Sequence, residues 1–374
     1  MFQELKPSEY EKVRSLFQGF DYSLSIHAAI ERNNPGRIFV DNLEAPRTAL
    51  ALTVEGTLLA GDHSDPATIT DLNQLLEDQI FTGQVFVEED WSMTLAVHPE
   101  EWEAKLSEII PTHQAFLLTH YYYLCRKVRF NWRRHLPRGY TVHRIDQDLL
   151  SDPALAIPED LSERIQRSWG TADNFVTNGA GFCVLHENAV VSRCTADCVA
   201  GERIDVGFLT APVHQRRGLA TAVIAATAEY CLSQGFTAVG VHCEAGNLAS
   251  WKAVGKVGFE KAREYIYYYY ILDQVDHLAQ LGWSHFKSGE YQRTVEYFEQ
   301  VFAAREDHPD YFYYCAAEAY GALENREMAL KYLNLAADRG WGALDYTSRT
   351  EWFRFLHGTP EWEAVLARMG KNVQ

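Results

Sequence analysis

One stretch narrows the possible folds more than any other: Arg203 to Gly258. Arg203-Ile-Asp-Val-Gly-Phe-Leu209 alternates in polarity, which predicts a half-buried strand. Leu219, Ala222, Val223, Ala226 and Tyr230 then recur at helical spacing, and Gly235 supplies a stop. Ala238 to Cys243 predicts a second strand. Strand, short loop, helix, strand is the order of a parallel pair joined by a right-handed crossover. The loop, Gln215-Arg216-Arg217-Gly218-Leu219-Ala220, is basic and has one glycine at its turn. Gly218 lets the backbone approach a ligand closely. The unpaired amides of Arg216 to Thr221 gather at the helix start, where the dipole adds positive potential. Such a nest suits a pyrophosphate. Neither a Gly-Lys-Ser/Thr loop nor a three-glycine dinucleotide fingerprint is present.

Gln215-x-x-Gly218-x-Ala220 resembles the Q/R-x-x-G-x-G/A signature of the GNAT-superfamily N-acetyltransferases. Asn247-x-x-Ser250 and Lys256-Val257-Gly258-Phe259 follow at the distance of that superfamily's second signature. The resemblance implies an acetyl-CoA site. The backbone of Phe208, Leu209 and Thr210 would pair with the pantetheine arm like an added strand. The amides of Arg216, Arg217, Gly218, Leu219, Ala220 and Thr221 would hold the pyrophosphate, beside Gln215. Asn247 and Ser250 would meet the cofactor from the next strand end.

The length of 374 residues implies two or three domains, and 47% hydrophobic content is enough for sizeable cores. A net charge of −17 argues against nucleic acid and agrees with a cationic amine substrate. No apolar run is long enough to span a bilayer, and the polar opening Met1 to Tyr10 is not a signal peptide. Seven scattered cysteines match no zinc spacing, so buried free thiols in a cytoplasmic setting are expected, with no metal.

The first third predicts helices at Ser8–Phe17, with Ser8 as cap, and at Tyr22–Ile30. Strands are expected at Arg37–Asp41, Thr48–Thr53, Thr57–Ala60 and Gln84–Glu88, with helices at Ile69–Glu77 and Glu100–Ile109. Glu55-Gly56 marks a hairpin turn, and Tyr121–Phe130 is strand-like. A similar hairpin recurs at Gly181–Leu185 and Ala189–Cys194 around Glu187-Asn188. The expected fold is therefore α/β (α+β): tandem GNAT-like domains with mixed central sheets. Residues 1–137 form a degenerate half and 138–272 a catalytic half. Lacking the glycine signature after its hairpin, the first half would wall the acceptor pocket or complete the packing rather than hold acetyl-CoA. Asn34 to Asp41, Gly181 to Leu185 and Asn247 to Trp251 also resemble the subgroup that includes the zwittermicin A resistance proteins.

Within the second half, Gly139–Ile145 predicts a strand, Glu159–Trp169 a helix and Asn174–Gly181 a loop. Acetyl transfer needs an amine placed beside the thioester, a base for its proton and a donor to the oxyanion. Asp205 is the leading candidate base, directly or through water; Glu202, His242 and Glu244 are alternatives. The superfamily's usual acid, a tyrosine seven residues after the asparagine, is here Val254. A tyrosine of the run Tyr265 to Tyr270, represented by Tyr267, could serve instead, or the thiolate could leave unaided. Alternation sets Tyr265, Tyr267 and Tyr269 apart from Tyr268 and Tyr270.

Beyond residue 273 the pattern turns helical. Leu278, Leu281, Gly282, Tyr291, Phe298 and Val301, then Tyr313, Ala317, Tyr320, Ala329, Leu333 and Ala336, match two tetratricopeptide-like repeats, with Thr294 as a departure. Asp345 to Met369 would cap them. This all-α segment, 273–374, could bind a peptide or protein partner, or serve as a lid or homodimer contact. The preferred expectation is direct acetyl transfer to the primary amine of a small molecule, such as an amino-containing antibiotic. A peptide acetyltransferase and a non-catalytic CoA-binding scaffold are the alternatives.

Overall fold

The computed structural model describes residues 1–82 and 92–372. Its strands are β1 (Gln3–Glu4), β2 (Gly36–Val40), β3 (Thr48–Thr53), β4 (Gly56–Gly61), β5 (Ser92–His98), β6 (Phe116–Cys125), β7 (Tyr140–Arg144), β8 (Gly181–His186), β9 (Ala189–Ala200), β10 (Arg203–Thr210), β11 (Ala238–Glu244) and β12 (Glu260–Ile271). They form one mixed sheet in the order β1-β2-β3-β4-β5-β12-β6-β11-β10-β9-β8-β7. Two polar turns start its two runs of strands. Val54-Glu55 joins β3 to β4, with Gly56 at φ 138° and the Thr53 hydroxyl donating to the Gly56 carbonyl at 2.7 Å. Glu187-Asn188 joins β8 to β9.

The strand order shows an exchange. β6 leaves the first run and pairs antiparallel with β11, placing Tyr122 opposite His242. β12 ends the second run yet lies between β5 and β6. The cores follow: Tyr265 and Tyr267 of β12 pack with Phe17, Phe20, Ile38 and Leu58. Tyr123 and Cys125 of β6 pack with Ile165, Trp169, Val223 and Val239. The boundary expected at residue 137 is thus not a break in the sheet, because each run is completed by a strand from the other. Met1–Tyr270 is one compact unit. Buried Asn34 binds across it, donating to the carbonyls of Ser168 (2.7 Å) and Asp197 (3.1 Å) and accepting the Val199 amide (3.1 Å).

Several local expectations need correction. Ser8–Phe17 is two 3₁₀ turns, Pro7–Val13 and Leu16–Phe20, with Pro7 rather than Ser8 opening the first. Glu100–Ile109 is mostly 3₁₀, ending in the short helix Leu106–Ile109. The strand at Tyr121–Phe130 begins earlier, at Phe116, and ends at Cys125. Asn174–Gly181 is not a loop throughout: Ala172–Asn178 is a helix, because the Thr171 side chain accepts the Asn174 amide at 3.1 Å and caps it. The strand expected at Gln84–Glu88 lies outside the described residues.

Ile271–Gln374 is a second compact unit. Its helices Gln274–Lys287 and Tyr291–Ala304 form one pair, and Asp310–Ala322 and Arg326–Asp338 another. Phe298, Val301, Tyr313, Ala317, Leu333 and Ala336 meet in a core of their own. Gly282 lets the first pair approach closely: a Cβ there would stand 3.1 Å from the Phe298 ring. Thr294 is buried, its hydroxyl bonded to the Glu290 carbonyl at 3.3 Å. No helix of the described residues is long and apolar enough to cross a membrane.

Candidate active site

The site begins where two parallel strands part. β10 and β11 pair only at Arg203–Ala238, Ile204–Val239 and Asp205–Gly240. A bulge between Asp205 and Val206 then shifts β10 against β9, and the rest of β10 runs on without β11 beside it. The β11-facing edge of Val206 to Thr210 is left for another extended chain. A cavity of about 570 Å³ occupies the gap. Phe208, Leu209, Asn247 and Ser250 line one part of it; His242, Glu55, Tyr265 and Tyr267 line another.

At the end of β10 the Gln215 side chain donates to the Thr210 carbonyl at 3.1 Å and closes the loop. Arg216 and Gly218 both take positive φ, 60° and 80°. Gly218 opens the Leu219–Ser233 helix without any side-chain cap. The first intrahelical bond runs from the Ala222 amide to the Gly218 carbonyl, so the amides of Leu219, Ala220 and Thr221 have no helical acceptor. Leu219 and Thr221 bury their side chains, whereas Arg216 and Arg217 are exposed. A turn without a capping carboxylate, under a basic loop and beyond an unpaired strand edge, fits an extended thiol arm ending in phosphates. Asn247 caps the Leu248–Val257 helix, its Oδ1 accepting the Ser250 amide at 3.1 Å, which leaves its amide group for the cavity.

The chemical end is a buried polar cluster. Asp205 is 1% exposed; Oδ1 accepts the Tyr122 hydroxyl at 2.8 Å, and that hydroxyl receives Arg203 at 3.0 Å. Asp205 Oδ2 lies 3.4 Å from His242 Nε2. Glu55 Oε2, from the β3–β4 turn, lies 3.8 Å from the same nitrogen. The other imidazole nitrogen, Nδ1, is bonded to the Tyr265 hydroxyl at 2.7 Å. Gly240 makes room for this: a Cβ there would stand 1.8 Å from Asp205 Oδ1 and 2.4 Å from the Tyr122 oxygen. One ligand-type atom each of Glu55, Cys198 and Asp205 lies within 4.8 Å of the others.

Burial pushes the Glu55 carboxyl up to about 7; His242 opposes the shift and Asp205 adds to it. Burial alone would lower His242, but the Glu55 and Asp205 carboxylates outweigh it and hold the imidazole above its ordinary value. Burial and the neighbouring carboxylates push the Cys198 thiol well up.

Asp205 is therefore not an exposed strand residue, and it does not line the cavity; His242 and Glu55 stand there. The version of its role that the geometry favours is indirect, through His242. Tyr267 lines the cavity with Tyr265 and Tyr269, and its hydroxyl donates to the Glu55 carbonyl at 3.3 Å. Val254 is fully buried in the core. Sequence reasoning took Glu55 only as a turn residue and Tyr122 only as a strand former. Nothing local distinguishes them, because the partner of Glu55 is 187 positions away on β11 and that of Tyr122 is 83 positions away on β10. Arg164, Arg193 and Asp197 also line the cavity, Arg164 paired with Asp197 at 2.6 Å.

Parted parallel strands followed by an uncapped, glycine-led helix define the cleft of an acetyl-CoA-type N-acetyltransferase. The chain belongs to the GNAT acetyltransferase family, whose sequence model matches residues 14–268. The family uses acetyl-CoA as its donor. The chain is 24% identical over 277 residues to a Bacillus subtilis (strain 168) protein named as an uncharacterized N-acetyltransferase, YdfB. That match spans 72% of this chain and 98% of the relative. A GCN5-related N-acetyltransferase-like protein from Streptococcus suis 89/1591 superposes with a TM-score of 0.51. It shares 20% identity and covers 70% of this chain and 98% of its own.

Proposed function

We propose that this chain transfers the acetyl group of acetyl-CoA directly to the primary amine of a small molecule. One observation carries the reading: a single cavity joins the free edge of β10 to the His242–Glu55 cluster. The Val206–Thr210 edge would align the pantetheine arm, and the amides of Leu219 to Thr221 would bind the phosphates. Bound there, acetyl-CoA supplies the activated carbonyl. Asn247 would orient the arm through its side-chain amide. Asp205 acts as a positioning residue, fixing the His242 ring while Tyr122 and Arg203 hold its own carboxylate. Tyr265 and Tyr267 wall the acceptor side and stand where a proton could reach the departing sulfur. A free thiolate with an ordinary pKa of ~8.5 also leaves without much help.

The residues 1–137 and 138–272 are proposed to be tandem GNAT-like halves, only the second holding acetyl-CoA. The resemblance to the zwittermicin A resistance subgroup points to an amino-containing antibiotic as acceptor and to a cytoplasmic resistance enzyme. The helical unit, with its own core, supports a tetratricopeptide-like reading and with it a second acceptor class, a peptide or protein. The test is release of CoA thiol from acetyl-CoA across polyamines, aminoglycoside-like compounds and amino-containing peptides. Release with small amines, unchanged after removal of 271–374, supports the first reading. Release only with peptides, and only with the tail, supports the second. Acetyl-CoA binding without release from any amine leaves a scaffold role.

A further inference from the structure

The cavity has a second charged wall, on the β9 side of β10. Two elements build it, and each brings one arginine and one aspartate: Arg193 and Asp197 from β9, Arg164 and Asp160 from the Glu159–Trp169 helix. We infer that Arg164 and Arg193 form an anion subsite, and that the acceptor is an amine which also carries a carboxylate or a phosphate. The inference rests on the transferase reading above and narrows its acceptor from any primary amine to a molecule bearing both charges.

The two ion pairs cross between the elements. Arg164 donates through Nε to Asp197 Oδ1 at 2.9 Å, and its Nη2 lies 2.6 Å from Oδ2. Arg193 donates to Asp160 Oδ2 through Nε at 3.2 Å and through Nη2 as well. One edge of each guanidinium is thus taken by a carboxylate. The Nη1 group of each makes no hydrogen bond among the described residues, yet neither is sealed inside the protein. Both arginines line the cavity, with 30% of the Arg164 side chain and 9% of the Arg193 side chain exposed. A guanidinium is planar, so fixing one edge aims the other. Two donor edges held in this way lose little freedom when an anion arrives.

Their position ties them to the reaction. Gly207 lies in the run of β10 that has left β11, and a Cβ there would stand 2.6 Å from both Arg164 Nη2 and Asp197 Oδ2. The absence of that atom lets the first pair lie against the strand proposed to align the pantetheine arm. Arg193 stands opposite Leu209 of the same run. The phosphates of the cofactor have their own place at the Leu219 to Thr221 amides, which leaves the arginine edges to the acceptor. Elsewhere the cavity is lined by the carboxylates Glu55 and Glu244. They repel an anion and so direct it to the arginine wall.

The test uses two matched pairs of acceptors: β-alanine with β-alaninamide, and O-phosphoethanolamine with ethanolamine. The full-length chain is assayed for CoA thiol release from acetyl-CoA at one ionic strength, and kcat/KM is compared within each pair. The anionic member of at least one pair is expected to be favoured by about tenfold or more, and that pair names the anion. Arg193→Lys keeps a positive charge beside Asp160 but gives up the second edge. It is expected to bring the ratio within about threefold of one. The wild-type ratio needs no substitution, so it decides even where the variant fails to fold.

A wild-type ratio near one in both pairs overturns the inference. Equal loss for both members in Arg193→Lys also overturns it, since ion pairs that only join helix to sheet would act in that way. Weakened acetyl-CoA binding in the variant, with the ratio retained, would give the arginine to the cofactor and overturn it too. So does a wild-type chain that binds acetyl-CoA yet acetylates none of the four. A wild-type chain that fails to bind acetyl-CoA overturns the transferase reading itself.

Discussion

The two runs of strands handle the same junction in opposite ways. In the first, β4 stays paired with β5 from Thr57–Leu95 to Ala60–His98. In the second, β10 leaves β11 after three pairs. The helix after β4, Pro66–Leu75, is capped by Asp65, whose carboxylate accepts the Ala67 amide at 2.9 Å. The helix after β10 starts at left-handed Gly218 and has no side-chain cap. A carboxylate of the protein already sits at one helix start; the other is open to an anion from outside. The comparison teaches that a ligand site can be created by omission, here of the strand pairs beyond Asp205 and of one cap.

The largest expected effect comes from closing the space that lets β10 and β11 hold the polar cluster. Gly240→Ala would drive a methyl into Asp205 and Tyr122, costing about 1–3 kcal/mol or more and abolishing measurable transfer; denaturant unfolding and CoA release check it. Next is Gly218→Val. A β-branched residue at φ 80° is strained by at least about 1–2 kcal/mol, and acetyl-CoA affinity should fall roughly tenfold or more by calorimetry. Unchanged affinity would remove the helix start as the phosphate site.

The third concerns pH. Glu55 and His242 both hold protons more tightly folded than unfolded. Stability from both is therefore lost as pH rises through neutrality. For Glu55 the window runs from about 4.3 in the unfolded chain to about 7 in the folded one. Glu55→Gln should be more stable than wild type above that window, by on the order of 2 kcal/mol, and lose the advantage below it. Equal stability at both ends would deny the burial of charge at this turn. The smallest effect tests the other half. Asp65→Ala should cost about 1 kcal/mol and leave one acetyl-CoA bound per chain. A second bound equivalent would mean that the cap alone separates the two junctions.

Much of this was legible locally. The Thr48–Thr53 strand, the Glu55-Gly56 turn, the Glu159–Trp169 helix and the Gly218 helix start depend on neighbours within a few residues, which the alternation and the glycines record. Where 3₁₀ turns replaced helices, as at Pro7–Val13, the proline and a short apolar face limited them to local i to i+3 bonds. The destination of Glu55 was not legible. Its meeting with His242 depends on β6 and β12 changing places, and periodicity is the same whichever strand lies alongside. Asn34 was quoted for its likeness to a subgroup; its reason is the three backbone groups it binds, which lie 134 to 165 positions downstream.

The exchange of β6 and β12 also has a consequence on the ribosome. Residues 1–125 emerge first, but the strand that lies beside β5 is not made until about residue 260. Until then β5 presents a bare edge, and β6 has no sheet neighbour before β11 is made at Ala238–Glu244 and only that one until β12 follows. A nascent chain stalled before β12 should therefore be easily cleaved and prone to clumping, and only near-complete synthesis would bring protection. The two runs of strands would mature together, at the end, rather than one after the other.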